Sequence, residues 1–178
     1  MEKALVVGAG LVGSLQAVLL AKKGHQVDVY DRRGDIRDVD FIGGRSINLA
    51  LSNRGWKALE LAGVAEEIKE ISIPMTGRKM HAVNGDITYQ AYGQEGEAIY
   101  SVPRGELNRK LILKAAEYEN VNLHFDKKCT DIDVKTGDVA FLDSKTGVEY
   151  NVNASQIYGT DGAFSAVRAR LQKTDRFN

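Results

Sequence analysis

The chain has 178 residues, and its 24 Lys and Arg are balanced by 24 Asp and Glu to a formal net charge of zero. That balance excludes a dedicated nucleic-acid binder, which carries a basic excess, and no apolar run approaches the ~18 residues of a membrane span. At 43% hydrophobic and 27% charged residues, with a single cysteine and three scattered histidines, the composition is globular; it excludes a disulfide framework, makes a structural metal site improbable and fits a reducing, cytoplasmic setting.

Residues 1–31 read as a strand–helix–strand unit. Ala4 to Val7 is a short apolar strand of the kind covered on both faces. Leu11 to Lys23 carries Leu11, Leu15, Val18 and Leu19 at helical spacing, with Gly24 placed to end it. Gln26 to Tyr30 alternates into a second strand, which a right-handed crossover makes parallel to the first. The apolar start is broken by three glycines and runs into a helix pattern, so it does not read as a signal peptide.

Arg32 to Ser52 has no clear period and reads as a long loop. Ser52 is placed to cap a helix running to about Ala62, closed by Gly63, and a short helix follows at Ala65 to Glu70. Arg78 to Tyr92 reads as extended segments broken at Asn84-Gly85, a dipeptide that favours a tight hairpin turn. Arg104 to Tyr118 is helical. Asn122 to Val152 reads as a β-meander, with Lys-Thr-Gly at 135–137 and again at 145–147 where hairpin turns are needed. Gln156 to Gly159 is a last short strand, and Ser165 caps a final helix through Leu171.

Gly8, Gly10 and Gly13 form G-x-G-x-x-G between the first strand and the first helix. The first glycine allows a tight turn, the second lets backbone approach a pyrophosphate, and the third permits close packing of helix on strand. Asp31 ends the second strand 18 residues beyond Gly13, where a carboxylate can accept from ribose hydroxyls. In this context the pattern points to a dinucleotide site over a structural glycine turn, without choosing between NAD and FAD. Lys22, Lys23, Arg32 and Arg33 are either phosphate contacts or solvated surface charges. Cys129 reads as a small apolar strand residue, with no neighbouring histidine to make it a nucleophile. Asp161-Gly162 is either a strand-ending turn or part of a site.

The opening GAGLVGSLQAVLLAKKGHQVDVYDRR resembles the FAD-binding start of the aromatic-hydroxylase flavoproteins. IYGTDGAFSAVR (157–168) resembles that family's Asp-Gly motif, with Asp161, Gly162, Ser165 and Arg168 all in place. GRSINLALSNRG (44–55), IPMTGRKMH (73–81), AYG (91–93), YSVPRGELNRKL (100–111) and the closing Phe177-Asn178 are similar to the kynurenine-hydroxylating members, so the resemblance covers essentially the whole chain.

The resemblance implies an α/β fold: a Rossmann-like FAD-binding βαβ unit with an inserted β-meander and part of an antiparallel substrate-domain sheet. Residues 1–178 would be the N-terminal part of the FAD-binding domain, with 73–103 contributing to the substrate-binding sheet. A later Gly-Asp motif and a C-terminal helical region are expected beyond them, so the chain alone is expected to be inactive. The implied activity uses FAD, NADPH and O2 to hydroxylate L-kynurenine to 3-hydroxykynurenine through a flavin C4a-hydroperoxide. No acid–base triad is implied. Gly8, Gly10, Val12 and Gly13 would hold the FAD diphosphate. Tyr30, Asp31, Arg32 and Arg33 would surround the adenosine, with Asp31 on its ribose, where relatives often carry the longer Glu. Ala50 would lie near the flavin, Arg104 and Cys129 would contact FAD, and Cys129 would do so through backbone or packing. Asp161 and Gly162 match a motif associated with both FAD and NADPH. Arg78 and Tyr92 would meet the amino-acid end of the substrate. By residue type alone Arg78 is a surface strand arginine and Tyr92 a core aromatic. On the shared scaffold two other readings stand: a dinucleotide-binding module without catalysis, and a different flavoprotein oxidoreductase.

Overall fold

The computed structural model describes residues 2–38 and 47–173, which fall into two compact units: Met1–Ile42 with Leu111–Asn178, and Gly43–Lys110. Residues 44–46 of the GRSINLALSNRG segment and the closing Phe177-Asn178 lie outside the described residues.

The first unit is built on a four-stranded parallel sheet. Its strands are β1 (Lys3–Val7), β2 (Gln26–Tyr30), β8 (Val121–His124) and β12 (Gln156–Gly159), in the order β12-β1-β2-β8. Helix α1 (Leu11–Lys22) makes the crossover from β1 to β2. Four successive residues of β1, Ala4 to Val7, are at most 2% exposed, as a strand covered on both faces requires. Leu5 and Val7 face a core shared with the meander β9 (Lys127–Asp133), β10 (Asp138–Asp143) and β11 (Glu149–Asn153), and with Val167 of α5 (Ala166–Leu171). Phe141 lies fully buried there, its ring 4.2 Å from that of Tyr30 at 21°; burial of such a ring is worth roughly 1.5–3 kcal/mol.

The second unit holds a three-stranded antiparallel sheet of β3 (Asn48–Leu51), β7 (Ile99–Pro103) and β4 (Ile73–Met75), in the order β3-β7-β4. It also holds α2 (Asn53–Ala62), α3 (Ala65–Glu70) and a separate hairpin of β5 (Gly77–His81) with β6 (Ile87–Ala91). Helix α4 (Arg104–Ala116) begins in this unit, and the division falls between Lys110 and Leu111.

Four expectations are corrected. The supposed loop to Ser52 contains β3, whose Asn-Leu-Ala-Leu sequence has no β-branched residue and becomes a strand by pairing with β7. Ser52 occupies the N-cap position of α2, but its side chain accepts no capping bond. Helix α4 ends at Ala116, because Glu117 and Tyr118 bond back three residues and tighten the last turn. The meander starts at Lys127, since β8 pairs with β2 and belongs to the parallel sheet. Alternation marks a strand without naming its partner; here Asp126, at φ 58°, turns the chain from one sheet to the other.

The two Lys-Thr-Gly turns are built alike. Asp133 accepts the amides of Lys135 and Thr136 at 2.8 and 3.4 Å, and Asp143 accepts those of Lys145 and Thr146 at 2.9 and 3.2 Å. These are Asx turns that join successive strands of one meander.

Candidate functional site

The chain leaves β1 toward β2 on one side and returns in β12 on the other, so the crevice at the C-terminal ends of β1 and β12 is a topological switch point. Open α/β sheets bind their ligands at such points. The structure brings Gly8, Gly10, Val12, Gly13, Tyr30 to Arg33, Asp161 and Gly162 to this end of the sheet.

The three glycines of the loop meet different surroundings. Gly8 has φ +101°, and a Cβ there would fall 2.7 Å from the Thr160 carbonyl oxygen and 2.8 Å from Asp161 Cα. A Cβ on Gly13 would lie 1.8 Å from the Gly8 carbonyl oxygen and 2.5 Å from Thr160 Oγ1. Gly10 has nothing within 4 Å of that position. The first and third glycines therefore lock loop, helix and β12 together, while the second leaves open room beside the start of α1. The first-turn amides there have no acceptor within the helix, which suits a diphosphate. Val12, in that turn, is 67% exposed.

Thr160 carries the join between loop and β12. Its amide donates to Val7 O at 2.8 Å, and its hydroxyl lies 2.8 Å from both Val7 O and Gly8 O. Nothing in the sequence marks it beyond a polar residue just before Asp161. Asp161 itself accepts from Ser165 Oγ at 2.5 Å and from the Ala166 amide at 2.7 Å, while Ser165 Oγ accepts the Arg168 amide at 2.9 Å. The carboxylate and the hydroxyl thus share the capping of α5 and fix the turn through Gly162.

Asp31 is 5% exposed and links the second strand to the glycine loop, accepting the Ala9 amide at 2.7 Å. Burial pushes its carboxyl up, but hydrogen bonds from the Arg33 side chain and amide, with the Arg33 charge and the Ala9 amide, outweigh that and hold it below the ordinary 3.8. The Tyr30 ring is stacked between His124 and Phe141, with burial lifting its phenol to about 12, and its backbone reaches the loop: Gly8 N donates to Tyr30 O at 2.7 Å. Arg32 is exposed.

Cys129 lies in the core beneath, 9% exposed. Burial first, then the charges of Asp161 and Asp131, push its thiol up to about 12, which leaves no thiolate near neutral pH.

Ala50, Arg78, Tyr92 and Arg104 belong to the second unit. Ala50 is exposed in β3 opposite Ser101, and Arg104 is exposed at the start of α4. Arg78 stands opposite Gln90 in the hairpin, and its Nε and Nη2 donate to Gln90 Oε1 at 2.9 and 2.5 Å. Tyr92 lies just past the end of β6, and its amide donates to Thr76 O at 2.9 Å. Gln90 is a partner of Arg78 that the sequence reading missed. A two-residue turn on Asn84-Gly85 would set Arg78 opposite Ala91, whereas the observed turn is one residue longer, with Gly85 at φ +91°. Tyr92 also lines a cavity of about 560 Å³ within this unit, with Trp56, Tyr100, Arg54, Lys69 and Glu97 on its walls. Trp56 meets Tyr100 edge-on at 5.1 Å.

Residues 1–176 match the family model described as FAD binding domain. The chain is 49% identical to the kynurenine 3-monooxygenase of Christiangramia forsetii over 97% of its own length and 38% of that protein. It is 48% identical to the kynurenine 3-monooxygenase of Flavobacterium johnsoniae over 99% of its length and 39% of that protein. The chain thus spans about two-fifths of the length of these relatives. Among solved structures, the flavin-dependent monooxygenase PieE in complex with FAD and substrate shares the fold at TM-score 0.80 and 20% identity. That likeness covers 96% of this chain and 32% of PieE. 2-Methyl-3-hydroxypyridine-5-carboxylic acid oxygenase does so at 0.79 and 20% identity, over 96% and 42%.

Proposed function

The chain belongs to the FAD binding domain family, and from that premise we propose that it carries the dinucleotide seat and part of the substrate surface of a monooxygenase that hydroxylates L-kynurenine to 3-hydroxykynurenine with NADPH and O2. The observation that carries the reading is the contrast at the switch point, where Gly8 and Gly13 are filled against Thr160 and Asp161 while Gly10 stands open. The name shared by relatives up to 49% identical supports the substrate and the reaction.

FAD, when bound, supplies the redox and oxygen chemistry that amino-acid side chains cannot. The residues of this chain bind and orient. The loop amides from Gly10 to Gly13 take the diphosphate at the start of α1, and Asp31 takes the adenosine ribose. Asp161 and Gly162 hold the facing wall through the α5 cap. Cys129 supports the floor by packing, and the resemblance alone gives Ala50 and Arg104 as FAD contacts. Arg78 offers its planar fork to the substrate carboxylate, exchanging the single oxygen of Gln90 for two, and Tyr92 adds one hydrogen bond. Residues 73–103 are then the part of the chain that meets the substrate.

No helix among the described residues is long and apolar enough to cross a membrane. A cytoplasmic location is part of the proposal, supported by the single buried cysteine.

The test is NADPH oxidation by the purified full-length protein with and without L-kynurenine, with the product followed by mass. The reading predicts kynurenine-stimulated oxidation and a product heavier by one oxygen. Kynurenine-independent oxidation without such a product supports a different flavoprotein reaction, and bound FAD without any oxidation supports a non-catalytic module. The isolated 178 residues should bind FAD weakly and turn over little or no substrate.

A further inference from the structure

The Asp31 carboxylate already receives four donors. Oδ1 accepts the Arg33 amide at 2.8 Å and Arg33 Nε at 3.0 Å, while Oδ2 accepts the Ala9 amide at 2.7 Å and Arg33 Nη2 at 2.9 Å. A carboxylate has about four lone-pair sites, so ribose hydroxyls cannot be added unless a donor leaves.

Two of the four, both on the Arg33 guanidinium, are free to go. The Ala9 amide is fixed in the glycine loop. The backbone of residues 31–33 is held to the β8–β9 connection: Asp31 N donates to His124 O at 2.9 Å, Lys127 N to Asp31 O at 2.8 Å, and Asp126 N to Arg33 O at 3.0 Å. The Arg33 side chain is 58% exposed and is held by Asp31, whereas the Asp31 side chain is 6% exposed. Rotation of the Arg33 stem carries the guanidinium into water and bares the carboxylate without moving the main chain.

We infer that the Arg33 guanidinium is an exchangeable occupant of the ribose seat, pairing the Asp31 carboxylate in the nucleotide-free protein and giving way to the hydroxyls of the incoming dinucleotide. The exchange rests on the reading that Asp31 takes the adenosine ribose. It makes Arg33 a positioning residue with a defined competition: it stabilises the nucleotide-free form and opposes binding by the same factor. It also explains why a buried carboxylate can stand at the end of β2 before any ligand arrives, since without the fork it would keep only two backbone donors.

The test uses the full-length protein, Arg33→Met, which keeps the stem and removes the fork, and Asp31→Asn. Melting temperature is measured with and without saturating FAD, and FAD affinity is read from flavin fluorescence on titration of the apoprotein. Arg33→Met should lower the apoprotein midpoint by about 1–3 °C while leaving the FAD-loaded midpoint unchanged. FAD should then bind about 3- to 5-fold tighter, the range of a half-exposed ion pair. Equal loss in both forms, no loss in either, or weaker FAD binding by Arg33→Met overturns the exchange. The reading beneath it is judged separately by Asp31→Asn. If that variant holds FAD as tightly as the parent, the ribose is not on Asp31, and the inference falls with it. If it releases FAD while Arg33→Met behaves in one of the contrary ways, the seat stands and the exchange alone is wrong.

Discussion

The corner between β1 and α1 and the hairpin of β5 and β6 carry the two halves of the proposed chemistry under opposite physical regimes. At the corner, open Gly10 aside, the key positions are constrained several times: Gly8 by its φ and by Thr160 and Asp161, Gly13 by Gly8 and Thr160, Asp31 by four donors. In the hairpin all five residues of β6 and four of five in β5 are exposed, apart from half-buried Gly77, and its side-chain bonds are local, such as Arg78 to Gln90 and Thr76 to Tyr89. A cofactor seat built into a core resists change. An exposed hairpin keeps polar side chains free to exchange partners, which is what recognition of a small charged substrate needs.

The contrast breaks most readily at Gly13. Gly13→Ala sets a methyl 1.8 Å from a carbonyl oxygen and should cost more than about 3 kcal/mol, with folding and flavin content lost together in a melting and absorbance assay. Arg78→Ala should act on the other side alone. The KM for kynurenine should rise about 10- to 100-fold, the worth of a charged hydrogen-bonded contact, while melting temperature and flavin content stay at parental values. Loss of flavin as well would give Arg78 a folding role. Gly85→Ala, strained at φ +91° but facing open space, should cost about 1 kcal/mol confined to the hairpin, seen as a small KM change without loss of flavin.

The least effect is expected from acid. The folded-state pKa of Asp31 lies below its ordinary 3.8. Its stabilisation is therefore complete above that value and is lost as pH falls through the lowered one. Asp31→Asn should show a shallower fall in melting temperature below about pH 4 than the parent; parallel curves would mean the carboxylate contributes nothing in the fold.

Much of the corner is legible in sequence because its signals are local. The glycine spacing, the apolar strand before it and the carboxylate ending the next strand are all set within 31 residues. The partners that complete it are not local: Thr160 meets Gly8 across 152 residues, and β12 joins β1 through pairing that no periodicity announces. The same limit hid β3, which is a strand only beside β7, and assigned β8 to the meander. The register of the hairpin turned on one extra turn residue, and with it the pairing of Arg78 with Gln90. The site roles of Arg78 and Tyr92 came from resemblance, since an exposed arginine and a 42% exposed tyrosine carry no chemical signal of their own.

On the proposed function Gly10 is open because a diphosphate lies against it, while Gly8 and Gly13 are closed because the fold needs them. Gly10→Val in the full-length protein tests it in one preparation, by flavin absorbance beside a thermal melt of the apoprotein. The variant should melt like the parent apoprotein but be colourless, unable to retain FAD. A yellow protein with parental flavin content would contradict it.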